Sequence, residues 1–131
     1  MLKIAMLALA VGLLATPATA ADVSASGAWR VSGKVSSFSF TLNCQFQQSG
    51  ETLGGRCTDA STSDPNVKGG RSHPLTQGRV EGDHVSFTYG SSFLFTHFDV
   101  TYSGVIQGDR MSGQITAQGH SGEFTAVRSG G

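Results

Sequence analysis

The chain has 131 residues, only 14% of them charged, and its nine Lys and Arg balance its nine Asp and Glu. That length suits one small domain, and the lack of a basic patch disfavours nucleic-acid binding. Its 18 glycines, its many Ser and Thr, and the absence of a long 3.6-residue apolar period argue against a helical protein and for short strands joined by tight turns.

The first twenty residues lie outside that domain. Met1-Leu2-Lys3 is a short positive start, Ile4 to Leu14 an apolar run, and Ala18-Thr19-Ala20 a small-x-small cleavage site. Residues 1–20 therefore read as a secretory signal peptide, too short and wrongly flanked for a membrane span. The single domain follows over 21–131, and the loss of Lys3 leaves it slightly acidic. Nothing after Ala20 is apolar enough to cross a bilayer, so a periplasmic or secreted protein without a stable membrane anchor is expected.

Alternation and turn residues predict eight strands, at 27–33, 35–47, 52–58, 74–81, 84–89, 93–107, 110–117 and 123–128. In the second, Phe38, Phe40, Leu42, Cys44 and Phe46 share one face. A two-residue turn at Gly50-Glu51 sets Ser49 against Thr52, Phe46 against Gly55 and Cys44 against Cys57. The cysteines then occupy a non-hydrogen-bonded pair, where side chains approach most closely, and export permits a structural disulfide between them. The polar stretch 59–71 reads either as a lid over one end or as an ordinary excursion.

A phrase is then repeated. Gly78-Arg79-Val80-Glu81-Gly82-Asp83-His84-Val85-Ser86 returns as Gly104-Val105-Ile106-Gln107-Gly108-Asp109-Arg110-Met111-Ser112. Each is a Gly-Asp turn between alternating segments, a hairpin signal. It pairs Val80 with Val85, Gly78 with Phe87, Ile106 with Met111 and Tyr102 with Ile115. Aromatics across from glycines, Phe46 on Gly55 and Phe87 on Gly78, let a strongly curved sheet fill its interior. In 93–107, Phe98, Val100, Tyr102 and Ile106 share one side, whereas Phe93 and Phe95 fall on the other. A bulge near Thr96 is expected to reconcile them, the alternative being an exposed apolar patch. The last turn is expected at His120-Ser121, pairing Ala117 with Phe124. Eight hairpin-connected strands with one apolar face predict an all-β, up-and-down antiparallel barrel with one disulfide; a two-sheet sandwich is the alternative.

Gly27-Ala28-Trp29 opens the first strand, and Arg128 closes the last in Phe124-Thr125-Ala126-Val127-Arg128. This arrangement resembles the calycin superfamily of lipocalins, fatty-acid-binding proteins and avidins. It also resembles small exported bacterial barrels with repeated Gly-Asp hairpins. The resemblance implies that Arg128 stacks on the Trp29 indole at a closed barrel end, tying first strand to last. Avidins line their biotin pocket with several tryptophans, and Trp29 stands alone here, so biotin binding is not expected. The strand Gly27-Ala28-Trp29-Arg30-Val31-Ser32-Gly33 is also similar to that of barrel-type metalloprotease inhibitors. In that family an N-terminal trunk enters the protease cleft, and the matching residues would be Ala21, Asp22, Val23, Ser24, Ala25 and Ser26.

No catalytic or metal constellation stands out, and no cofactor is implied. His73, His84, His97 and His120 are scattered, and His97 with Asp99 reads as a solvated pair on an outer face. No Gly-x-Ser-x-Gly elbow occurs. Turn chemistry accounts for Asp83 and Asp109, which weakens Glu81/Asp83 and Asp99/Asp109 as paired carboxylates. The expectation is a non-enzymatic barrel holding a small apolar or aromatic ligand, with Trp29, Phe38, Phe40, Phe46, Phe87, Phe98 and Tyr102 as interior candidates. The alternatives are a secreted protein partner bound through the trunk, or a filled structural barrel without ligand.

Overall fold

The computed structural model describes residues 23–129 apart from Leu94 and the side chain of Phe93. The signal peptide expected at 1–20, and Ala21 and Asp22 of the expected trunk, lie outside the described residues. Period-2 alternation and Gly-containing turns give eight strands: β1 (Gly27–Val35), β2 (Phe38–Ser49), β3 (Thr52–Thr62), β4 (Ser72–Glu81), β5 (His84–Phe93), β6 (Thr96–Gln107), β7 (Arg110–Ala117) and β8 (His120–Arg128). Each is antiparallel to the next, and β8 returns to β1 from Trp29↔Arg128 to Val35↔Gly122. That last ladder closes the barrel and rules out the sandwich.

The register counted from the turns holds where a turn glycine marks the count. Cys44 faces Cys57 with Cα atoms 4.0 Å apart, and the two are disulfide-bonded. Closing a loop of this size contributes roughly 3 kcal/mol in the chain-entropy picture. Phe46 faces Gly55, Phe87 faces Gly78, and Tyr102 faces Ile115. Phe46 also lies across from Gly27, and Phe124 across from both Gly33 and Gly113, so the aromatic-on-glycine device recurs around the barrel.

Three expectations are corrected. No bulge lies near Thr96; instead Phe93, expected to open the 93–107 strand, ends β5 and pairs with Thr96, so the turn between the two strands follows Phe93 where it was expected to precede it. Phe95 sits on that turn with φ 71° and is fully exposed. The last hairpin turns at Gln118-Gly119, not His120-Ser121, and Ala117 faces His120 while Phe124 faces Gly113. Gln118 and Gly119 both have positive φ, as a type I′ turn requires. Finally, β3 runs on to Thr62 and β4 starts at Ser72, so the excursion between them is shorter than 59–71.

An up-and-down path sends its turns to opposite ends alternately. One end carries the turns at Gly50-Glu51, Gly82-Asp83 and Gly108-Asp109, together with the N-terminal segment. This end is filled. Ala25 and Trp29 are fully buried, and the Trp29 indole Nε1–H donates to the Ala25 carbonyl at 2.9 Å. Above them Phe46, Phe87, Tyr102 and Phe124 interlock, with Phe87 stacked on Tyr102 at 4.6 Å and Phe124 edge-on to Tyr102 at 5.3 Å. The other end carries the Ser36-Ser37 turn, the 63–71 loop, the turn after Phe93 and the Gln118-Gly119 turn.

Candidate functional site

The same alternation that fills the closed end brings apolar side chains to the other end without filling it. Phe40 and Leu42 of β2, Phe98 and Val100 of β6, and Ile115 and Ala117 of β7 line a mouth cavity of about 360 Å³. Phe38 stands at its rim, 38% exposed, with its ring 5.9 Å from that of Phe40. The 63–71 loop adds Asp64 and Val67 to the wall. That loop is pinned. The Asp59 N–H donates to the Arg71 carbonyl at 2.9 Å, and the Gly70 N–H donates to the Asp59 carbonyl at 2.7 Å. At its start the Ser63 N–H reaches the Ser39 carbonyl of β2 at 2.8 Å.

One stretch of wall is polar. Asp59, two residues beyond the disulfide on β3, points to the same interior as Cys57. Its carboxylate Oδ1 lies 3.0 Å from His73 Nε2, and its Oδ2 accepts from Arg71 Nε at 3.1 Å. Burial pushes the Asp59 carboxyl up, but hydrogen bonds and charge from His73 and Arg71 together outweigh it and hold it below its usual 3.8. His73 is the buried polar side chain of the described barrel. Its ring stacks on Tyr89 at 4.8 Å and 19°, and the Tyr89 and Tyr102 hydroxyls share a 2.7 Å hydrogen bond. Burial drives both phenols well above the ordinary tyrosine value. Aromatic contacts thus run from Phe46 in the closed half through Phe87, Tyr102 and Tyr89 to His73 in the mouth.

The predicted interior residues divide accordingly. Phe38, Phe40 and Phe98 line the mouth, whereas Trp29, Phe46, Phe87 and Tyr102 are buried core of the closed half. Arg128 takes its expected place over the indole, 4.4 Å from the ring centre. Gly27, with φ 118°, lies beneath that guanidinium. Of the expected trunk, Val23–Ser26 is fastened across the closed end. Gln48 Oε1 accepts from the Ala25 N–H at 2.8 Å, and Arg128 donates to the Ser26 and Ser24 carbonyls at 2.7 and 2.6 Å. His97 and Asp99 are exposed on the outer wall, and His84 and His120 are exposed at opposite ends. Among the described residues no cluster of three metal-ligating side chains forms. A wider depression, about 880 Å³, lies on the outer wall among chiefly hydroxyl-bearing and charged residues such as Ser32, Lys34, Ser61 and Glu123.

The Asp59–His73 pair is the feature that sequence reasoning missed. Alternation continued one step past Cys57 would have turned Asp59 inward. His73 lies beyond the loop, where no turn pair sets the count.

No protein-family model matches the chain, and no curated protein matches it in sequence. A solved structure of a redesigned β-barrel, mFAP1, bound to DFHBI, is similar with a TM-score of 0.56 and 16% identity, over 79% of this chain and 93% of that one. At that identity the likeness is one of fold. The class defined by these observations is a closed eight-stranded antiparallel meander barrel with one disulfide, packed at one end and open at the other.

Proposed function

We propose that this protein is an exported, non-enzymatic, calycin-like barrel that binds a small apolar or aromatic ligand in its mouth. The observation that carries the reading is the cavity of about 360 Å³ between Phe40, Phe98, Leu42 and Ile115, with polar groups on one wall. Ligand sites are concave, mostly apolar and provided with a few placed polar groups, and this volume lies near the lower end of their roughly 300–1,000 Å³ range. A one- or two-ring molecule fits that size. The similar barrel mFAP1, which holds DFHBI, supports the reading by analogy of architecture. A completely filled barrel suits the closed half but not the mouth. A trunk-mediated partner would first have to break the Arg128, Gln48 and Trp29 hydrogen bonds that hold Ser24 to Ser26. Binding is favoured over turnover because His73 has a carboxylate partner but, among the described residues, no hydroxyl bonded to it that would serve as nucleophile.

The test is a fluorescence titration of the whole exported protein with N-phenyl-1-naphthylamine. Saturable one-to-one enhancement is expected, and Ala117→Trp, which places an indole in the mouth, should abolish it. No saturable signal, or the same signal in the variant, would remove the mouth as the site.

A further inference from the structure

The polar wall says more about the ligand than its size does. His73 is buried, the one buried side chain among the described residues that is neither apolar nor aromatic-hydroxyl in type, and it is held from several sides. The Asp59 carboxylate can only accept a hydrogen bond, so the His73 nitrogen facing it at 3.0 Å, Nε2, carries the hydrogen. The second Asp59 oxygen is committed to Arg71, which also donates to the Ser92 carbonyl at 3.3 Å. The imidazole plane is set by the Tyr89 stack, and the Tyr89 hydroxyl is in turn bound to Tyr102. In the neutral imidazole this leaves Nδ1 as a lone-pair acceptor of fixed direction. No described protein group bonds it, yet no buried side-chain nitrogen or oxygen among the described residues lacks a partner. Nδ1 therefore belongs to the unsealed side of the ring, in a residue that lines the mouth cavity.

We propose that the mouth selects an aromatic hydroxy compound of one or two rings, whose O–H donates to His73 Nδ1 while its rings lie against Phe40 and Phe98. The assignment rests on the mouth being a ligand site and adds what the ligand must carry. A hydroxyl is favoured over a carboxylate by charge. With its two histidines, His73 and His120, neutral, Asp59 and Asp64 together outweigh Arg71 at the mouth, so there is no positive excess to hold an anion. Asp59 acts as a positioning residue, fixing which His73 nitrogen bears the hydrogen.

Competition against bound N-phenyl-1-naphthylamine at neutral pH decides it, with 2-naphthol, 2-fluoronaphthalene and 2-naphthoate as competitors. The first two are near in size and differ in the donor. 2-Naphthol should bind about fivefold to tenfold more tightly than 2-fluoronaphthalene, the worth of one hydrogen bond. In His73→Phe, which keeps a ring against Tyr89, that advantage should vanish, and His73→Gln, which restores an acceptor, should recover part of it. Equal affinities in the unaltered protein, which do not depend on any variant folding, overturn the assignment. So does an advantage that survives in His73→Phe, or tighter binding of 2-naphthoate than of 2-naphthol. If the fluorescent probe binds but the hydroxyl brings no gain, only the His73 assignment falls. If neither probe nor naphthalenes bind saturably, the mouth reading falls with it.

Discussion

Arg128 sits directly across the β1–β8 ladder from Trp29 and also lays its guanidinium over the indole, 4.4 Å from the ring centre. The same group donates to the Ser24 and Ser26 carbonyls and meets Asp109 Oδ1 at 3.0 Å. One side chain thus joins first strand, last strand, N-terminal segment and the β6–β7 turn. The planar fork is what allows this, since an ammonium is a compact point charge with no flat face to lay on the indole while its donors reach separate carbonyls and a carboxylate.

Arg128→Ala should therefore cost about 2–3 kcal/mol, combining a partly buried cation–π contact with charge-assisted hydrogen bonds. Arg128→Lys should recover little of that. Denaturant unfolding followed by the emission of Trp29, the sole tryptophan, measures both. A loss below about 0.5 kcal/mol for Arg128→Ala would put it among ordinary surface changes and refute its role as a closure point.

The aromatic-on-glycine device predicts a sharp contrast between glycines. At Gly113, which pairs with Phe124, an added Cβ would run into the Ser103 carbonyl oxygen and the Gly104 Cα, both backbone. Gly113→Ala should cost about 3 kcal/mol or more, at the upper end of overpacking changes. Gly90 lies in an exposed position with nothing within 4 Å of such an atom, so Gly90→Ala should change stability by less than about 0.5 kcal/mol. Similar losses at the two sites would mean that the glycines are not there for close strand approach.

These particulars show what the residues alone disclosed. Counting outward from Gly50-Glu51 reached Cys44 and Cys57, because the β2–β3 ladder is regular that far. Just beyond, its register shifts between Thr41 and Leu42, where Asp59 enters the mouth. The β3–β4 ladder shifts again between Thr52 and Arg56, so no count from either side leads to Cys57↔His73. The turn after Phe93 carries no glycine; Phe95 takes the positive φ itself at an exposed tip, which local preference does not signal. The closed half was thus legible from turns and alternation. The mouth depended on bulges and a loop, whose pairing is settled by packing.

Acid should expose the Asp59 contribution. Its folded carboxyl is held below 3.8, so ionisation favours the folded state. That stabilisation is present above the ordinary carboxylate value and is lost as pH falls through the lower folded value. Asp59→Asn should be less stable than the unaltered protein near neutral pH, and the two stabilities should converge as pH drops below the ordinary carboxylate value. Urea unfolding across that span reads the difference directly. A gap that stays constant with pH would show that the carboxylate acts by shape, not by charge.

Alkali probes the other half of the wall. Tyr89 and Tyr102 are the only tyrosines, so tyrosinate absorbance reports this hydrogen-bonded pair alone. Burial raises Tyr89, opposed in part by the Tyr102 hydrogen bond; Tyr102 is raised by burial and further by Tyr89. Both phenols are therefore neutral in the fold at pH values where the unfolded chain ionises them, near pH ~10. Their contribution to stability is complete below that value and declines as pH rises past it. Absorbance should stay flat through pH ~10 and then rise in one step together with the loss of structure. If instead a tyrosine titrates near 10 while circular dichroism still reports an intact barrel, its hydroxyl meets solvent. The Tyr89 ring would then be too loosely held to fix the plane of His73, and the mouth would lack the rigid acceptor on which hydroxyl selection depends.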